Sequence, residues 1–130
     1  MSTALVTGGA GFIGSHLVRA LLERGDRVCV LDNFSTGKRE NLAGVEGSLE
    51  IRTGDLRDAS LVQEVVRGMD FVFHLAAFVS VPQSMEEPQL CYDVNVTGTL
   101  NLLEAARAAR VEQVVLASSA AVYGESQELP

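Results

Sequence analysis

The sequence predicts an α/β protein built on a doubly wound parallel sheet, and three observations carry that expectation. Short apolar runs recur along the chain with helical patterns between them. The first run leads directly into a glycine-rich turn, and an acidic residue closes the second. Unalternating apolar runs suit parallel strands covered on both faces, and strand–helix succession builds such a sheet through right-handed crossovers.

The elements follow in order. Ala4–Thr7 is the first strand, and Ile13, Leu17, Val18 and Leu21 then fall on one helical face, with Gly25 as the stop. Val28–Leu31 is the second strand, followed by an irregular stretch over residues 33–48 rich in Gly, Ser, Thr and Asn. Leu49–Thr53 is the third. Asp58 can cap the helix that carries Leu61, Val62, Val65 and Val66. Phe71–Leu75 is the fourth strand. The longest helix is expected to start at Pro88 and to carry Val96, Leu100 and Leu103, with Gly98 an oddity inside it. Val114–Ala117 is the fifth strand. The expected strand order is 3-2-1-4-5, with a ligand at the switch point beyond the strand ends.

The composition narrows the function. The 130 residues are 47% hydrophobic and 21% charged, enough for one domain over residues 1–130 with a packed core. A net charge of −7 argues against nucleic acid or an anionic membrane surface as partner. Cys29 and Cys91 fit no metal or redox spacing, and Cys29 reads as a small buried hydrophobe. No apolar run reaches the roughly 18 residues of a membrane span, and no secretory leader precedes the first strand. The expectation is a cytoplasmic protein.

The stretch TGGAGFIGSH, residues 7–16, carries the chemistry. A pyrophosphate needs backbone N–H groups aimed at it, a positive helix end and no Cβ in the way. Gly8 serves the tight turn, Gly11 the approach of backbone to phosphate, and Gly14 the packing of helix on sheet. Asp32 lies 18 residues beyond Gly14, where a carboxylate would accept from a ribose hydroxyl and repel a 2′-phosphate. The expected cofactor is therefore NAD rather than NADP. His74 follows the FVF run without a second ligand at metal spacing, and reads as a hydrogen-bonded structural histidine.

TGGAGFIG, LDNFSTGKRENL, GDLRD, HLAA, SVPQS, NVTGTLNLLEAAR and SSAAVYG together resemble the extended short-chain dehydrogenase/reductase superfamily. Within it they look like the NAD-dependent sugar-nucleotide epimerases and dehydratases, nearest to the 4-epimerases of UDP-glucose and UDP-N-acetylglucosamine. The resemblance implies a Rossmann-type fold and a role for each matching residue. Gly8, Gly11, Phe12 and Ile13 would line the pyrophosphate, with Gly14 completing the cradle. Asp32 and Asn33 would meet the adenosine ribose, Thr36 and Gly37 would sit near that end, and Asp55 and Leu56 would bracket the adenine. Leu75, Ala76 and Ala77 would form a floor of small residues under the cofactor, and Asn95 would help hold the site. Ser84, in the loop after the fourth strand, would approach a substrate hydroxyl. Ser119 would donate to the substrate oxygen, with Ser118 as its backbone-bonded neighbour. Val79 departs from the pattern, standing where some 4-epimerases carry a lysine.

The family's general base is a tyrosine followed four residues later by a lysine, which lowers the phenol's pKa from its ordinary value of about 10. Here Val96 follows Tyr92 at that spacing, Gln127 follows Tyr123, and Lys38 is the sole lysine. The expectation is the front half of a UDP-sugar epimerase, lacking the last strands, the substrate domain and the base, and inactive alone. The alternative is a non-catalytic NAD(H)-binding module. An unpaired outer strand and an uncovered helix face would make the chain self-associate.

Overall fold

The structure, a computed structural model, describes residues 1–127. Five parallel strands, β1 (Thr3–Thr7), β2 (Arg27–Asp32), β3 (Leu49–Thr53), β4 (Phe71–His74) and β5 (Gln113–Leu116), form one sheet in the order β3-β2-β1-β4-β5. That is the expected doubly wound order. Residues 128–130 lie outside the described residues.

The central strands β1 and β2 bury both of their faces, which is why their apolar runs do not alternate, while β3 and β5 at the sheet's edges stay partly exposed. Ala4, Val6, Val28 and Val30 point to one side and pack with Val18, Leu21 and Leu22 of α1 (Phe12–Glu23). Leu5, Cys29, Leu31 and Val72 point to the other. There they meet Val62, Val65 and Val66 of α2 (Ala59–Val66) and Leu102, Ala105 and Ala106 of the helix before β5. Burial pushes the Cys29 thiol up to about 11, so it behaves as the small hydrophobe the sequence suggested.

Local chemistry sets the ends of the elements. Asp58 caps α2 by accepting the Leu61 N–H at 3.1 Å. Gly25, with φ of +90°, closes α1 by donating its N–H to the Leu22 carbonyl. Carboxylates at the far end of the sheet take the leading N–H groups: Asp26 binds that of Ser2 at 2.9 Å and Asp70 that of Thr3 at 2.7 Å.

Three features depart from the sequence expectation. The stretch after β4 is not wholly loop: Ser80 caps a short helix, α3 (Val81–Glu86), with Pro82 in its first turn. The long helix does begin at Pro88, but in three parts. These are α4 (Pro88–Tyr92), a π-helical turn (Asp93–Thr97) and α5 (Gly98–Ala109). Gly98 has a packing reason, since a Cβ there would sit 2.9 Å from the Leu56 Cβ. Finally, β4 stops at His74 and β5 at Leu116, one residue short of each expected end.

Candidate cofactor-binding site

A cavity of about 720 Å³ opens beyond the C-terminal ends of β1, β2 and β4, at the point where the strand order reverses. Its wall begins with Gly8, Gly11, Phe12, Ile13 and Gly14, continues through Asp32, Asn33, Thr36 and Gly37, and returns along Asp55, Leu56, Leu75, Ala76 and Ala77. Fourteen of the residues singled out from the sequence thus share one surface. Leu31, Ser35, Gly54 and Arg57 complete the β2–β3 side.

The three glycines of the turn answer to different demands. Gly8 has φ of +70°, and a Cβ on it would lie 2.7 Å from the Ala76 nitrogen. A Cβ on Gly14 would collide with the Gly8 carbonyl oxygen, so the helix can lie against the turn only without one. Gly11 differs: its Cβ would meet a single protein atom, the Gly8 oxygen at 3.3 Å. The fold itself asks least of Gly11, and the bare backbone there faces the cavity. Gly11 is also the N-cap of α1 and lends it no side-chain cap, so the first-turn N–H groups are left for an anion. These residues fit a pyrophosphate.

Asp32 is buried at the end of β2. Its Oδ2 accepts the Ala10 N–H and its Oδ1 the Phe34 N–H, both at 2.9 Å. Each oxygen keeps acceptor capacity for a hydroxyl. Phe34 holds φ of +56°, and Arg39 lies 4.4 Å over its ring while bonding Thr53 Oγ1 at 2.8 Å. That cation is therefore engaged across the loop.

Asp55 is more occupied than the sequence suggested. Arg57 grips it with two parallel bonds of 2.9 Å, Nε to Oδ1 and Nη2 to Oδ2, and Asn33 Nδ2 adds a third at 3.1 Å. The Arg57 guanidinium, with the Arg57 and Asn33 hydrogen bonds, holds the Asp55 carboxyl down at about 2 against the cost of partial burial. Arg57 was not foreseen; its signal is the i,i+2 spacing in GDLRD, ordinary for a turn.

The floor follows β4. Thr7 Oγ1 accepts the N–H groups of Leu75 and Ala76, each at 3.2 Å. His74 is buried, with Nδ1 2.7 Å from Thr7 Oγ1 and Nε2 2.8 Å from Thr99 Oγ1. Burial lowers its pKa, and it does not line the cavity, in keeping with the structural role expected.

Three expected site residues stand apart. Asn95, in the π-helical turn, does not line the cavity but binds both backbone groups of Phe78, which does. Ser84 lies in α3 rather than a loop, and its hydroxyl donates to the Val81 carbonyl at 2.6 Å, one turn back. Ser119 is exposed, and its Oγ accepts the Ala121 N–H at 3.2 Å as the cap of a 3-10 turn, Ala120–Tyr123. The backbone-bonded role expected of Ser118 thus falls to Ser119, because the residue before a helical turn sits where a hydroxyl meets the turn's free N–H. The departing residue Val79 lines the cavity beside Phe78 and Ser80. Among the described residues, no group of three or more His, Cys, Asp or Glu side chains could hold a metal ion, and no helix is long and apolar enough to cross a membrane.

Residues 4–130 match the NAD dependent epimerase/dehydratase family. The chain belongs to that family. Its cofactor is NAD. The UDP-glucose 4-epimerase of Streptomyces lividans is 46% identical over 97% of this chain and 38% of its own length. Among solved structures, the UDP-N-acetylglucosamine 4-epimerase from Methanobrevibacter ruminantium M1, in complex with UDP-N-acetylmuramic acid, is 42% identical with a TM-score of 0.92, over 99% of this chain and 41% of that one. The UDP-glucose 4-epimerase from Bifidobacterium longum, in complex with NAD+ and UDP, is 35% identical with a TM-score of 0.90, over 99% and 40%. The chain thus spans about two fifths of the length of these epimerase-family relatives.

Proposed function

We propose that these residues form the NAD-binding portion of a UDP-sugar 4-epimerase. The observation that carries this reading is the cavity wall itself. It joins the glycine of the turn on which the fold depends least, Gly11, to a buried two-oxygen acceptor, Asp32, and ends on the small side chains of Ala76 and Ala77. Bound NAD supplies the acceptor and donor of a hydride exchanged with the sugar ring.

The chain's own residues divide the work. Gly8, Gly11 and the N-terminus of α1 hold the pyrophosphate through backbone N–H groups. Asp32 and Asn33 take the adenosine ribose, and the carboxylate disfavours a 2′-phosphate. Leu56 packs on the adenine, with Asp55 beside it. Leu75, Ala76 and Ala77 leave room above them for a flat ring. Asn95 acts at one remove, through Phe78. Ser119 reaches a substrate oxygen by exchanging its bond to Ala121 for one into the cavity mouth, where Ala117 already lies. Ser84 follows Gln83, which lines the cavity, and would approach a substrate hydroxyl on giving up its bond to Val81.

The proton step has no residue here. Tyr92 and Tyr123 are both exposed, neither has a lysine four residues on, and Lys38 sits at the adenosine end. These 130 residues alone are therefore proposed to bind NAD(H) in the cytoplasm and not to turn over a UDP-sugar. The same observation favours a second reading, a non-catalytic NAD(H)-binding module. Calorimetric titration with NADH and with NADPH tests the cofactor reading: micromolar NADH binding and much weaker NADPH binding are expected, and no heat with either would sink it. Adding a separately made C-terminal half of a relative separates the two readings, because restored UDP-glucose epimerisation supports the enzyme and its absence the module.

A further inference from the structure

Thr7 Oγ1 has one hydrogen to give and two sites at which to accept. The N–H groups of Leu75 and Ala76 occupy both acceptor sites, so the hydroxyl hydrogen is directed to His74 Nδ1. Nδ1 must then be unprotonated, which puts the proton of a neutral ring on Nε2, facing Thr99 Oγ1 on α5. The bonds form one directed chain from the helix to the floor of the cavity. Its ends differ in how much they depend on it. Leu75 N–H also reaches the Thr7 carbonyl at 3.1 Å, whereas Ala76 N–H has the Thr7 hydroxyl. Ala76 is also where floor and phosphate turn meet, since its nitrogen lies 2.7 Å from where a Gly8 Cβ would be.

We propose that His74 is a positioning residue for the cofactor, held by Thr99 in the Nε2–H form so that Thr7 fixes the Ala76 amide at the junction of floor and phosphate turn. This inference rests on the reading of the cavity as the cofactor site. His74 touches no ligand; it acts through Thr7. The bonds are all buried or half-buried, and among the described residues no buried side-chain N or O atom lacks a partner.

The test uses Thr99→Val, which removes the far end of the chain without touching the cavity, with His74→Asn and His74→Gln as a second pair. Asn keeps an acceptor near the Nδ1 position, and Gln keeps a donor near Nε2. Nitrogen NMR of the ring should show the Nε2–H tautomer in the unaltered chain. In Thr99→Val, hydrogen exchange at Ala76 should quicken about tenfold while Leu75 changes less and the β2 amides of Val28 and Val30 hold. NADH binding should weaken about three- to tenfold in Thr99→Val and His74→Gln, and less in His74→Asn. An Nδ1–H tautomer would overturn the proposal, as would an unchanged Ala76 amide or one that loosens only in step with β2. An unaltered chain that binds no NADH would overturn the cofactor reading instead, and the exchange measurements would still decide the relay.

Discussion

Asn95 holds Phe78 by both of its backbone groups: Oδ1 accepts the Phe78 N–H at 2.8 Å and Nδ2 donates to the Phe78 carbonyl at 3.0 Å. The residue that makes this clamp sits in a π-helical turn, where one extra residue per turn brings Asn95 round to the loop beyond β4. Phe78 lines the cavity and Asn95 does not, so the asparagine shapes the site from behind.

Removing the clamp should loosen the loop more than the sheet. Asn95→Leu leaves a half-buried amide and carbonyl without partners, at a cost of about 1–3 kcal/mol. NADH affinity should fall by about tenfold, and Asn95→Asp, which keeps the acceptor and loses the donor, should lie between. Titration calorimetry beside urea unfolding reads both quantities. Equal NADH affinity in all three chains would show that the loop plays no part in binding.

Gly11 and Gly14 should separate binding from folding. Gly14→Ala forces a Cβ into the Gly8 carbonyl and should destabilise the chain by about 3 kcal/mol. Gly11→Ala should leave stability within about 1 kcal/mol of the original while weakening NADH binding by tenfold or more, about 1.4 kcal/mol per decade. Thermal melts with and without NADH distinguish the two; a Gly11→Ala chain that binds NADH normally would remove the phosphate role from that glycine.

Acid should lower the chain's stability over two separate pH ranges. His74 is kept neutral by burial, so its folded pKa lies below the ordinary 6.5. Above 6.5 it is neutral folded or unfolded; as pH falls below 6.5 the unfolded chain gains the proton first and stability declines. Asp55 has the opposite preference, for the charged form. With a folded value of about 2 against an ordinary 3.8, its contribution is complete above 3.8 and is lost as pH falls through about 2. Urea midpoints against pH should show both declines. The upper one should vanish in His74→Asn; the lower one should shrink in Asp55→Asn, with Asp26 keeping a share because the Ser2 N–H and Arg24 also hold its carboxyl down.

Self-association should follow from the exposed apolar side chains near the β5 edge and on the helix before it. Tyr92, Val96, Leu100 and Leu103 stand exposed along the α4–α5 helix, and Val115 and Leu116 are exposed on β5, the edge of the described sheet. We expect a second copy of the chain to cover them. Sedimentation should show mass rising with concentration, and Leu100→Glu should return the chain to a monomer. A monomer at every concentration in the original chain would refute this.

The sequence by itself determined the sheet. Apolar runs at Ala4 and Val28 require cover on both faces, which a doubly wound sheet gives its central strands, and the partly exposed strands at Leu49 and Val114 take its edges. It also determined the cradle, because Gly8, Gly11, Gly14 and Asp32 are local to one βαβ unit, and their spacing fixes their geometry. What lay beyond reach was whatever depends on partners distant in the chain. Asp55 was legible as an acid with Arg57 two residues on, but its bond from Asn33 needs the loop after β2 brought against the loop after β3. His74 was legible as structural, but its proton is placed by Thr7 and Thr99, 67 and 25 residues away. Periodicity did not report the π-helical turn, since that turn ends at Thr97 and the spacing of Val96, Leu100 and Leu103 falls almost wholly beyond it. Nor can it tell whether a serine hydroxyl caps its own turn or faces a ligand: in Ser84 and Ser119 that choice is made by the backbone N–H or carbonyl which folding places nearest.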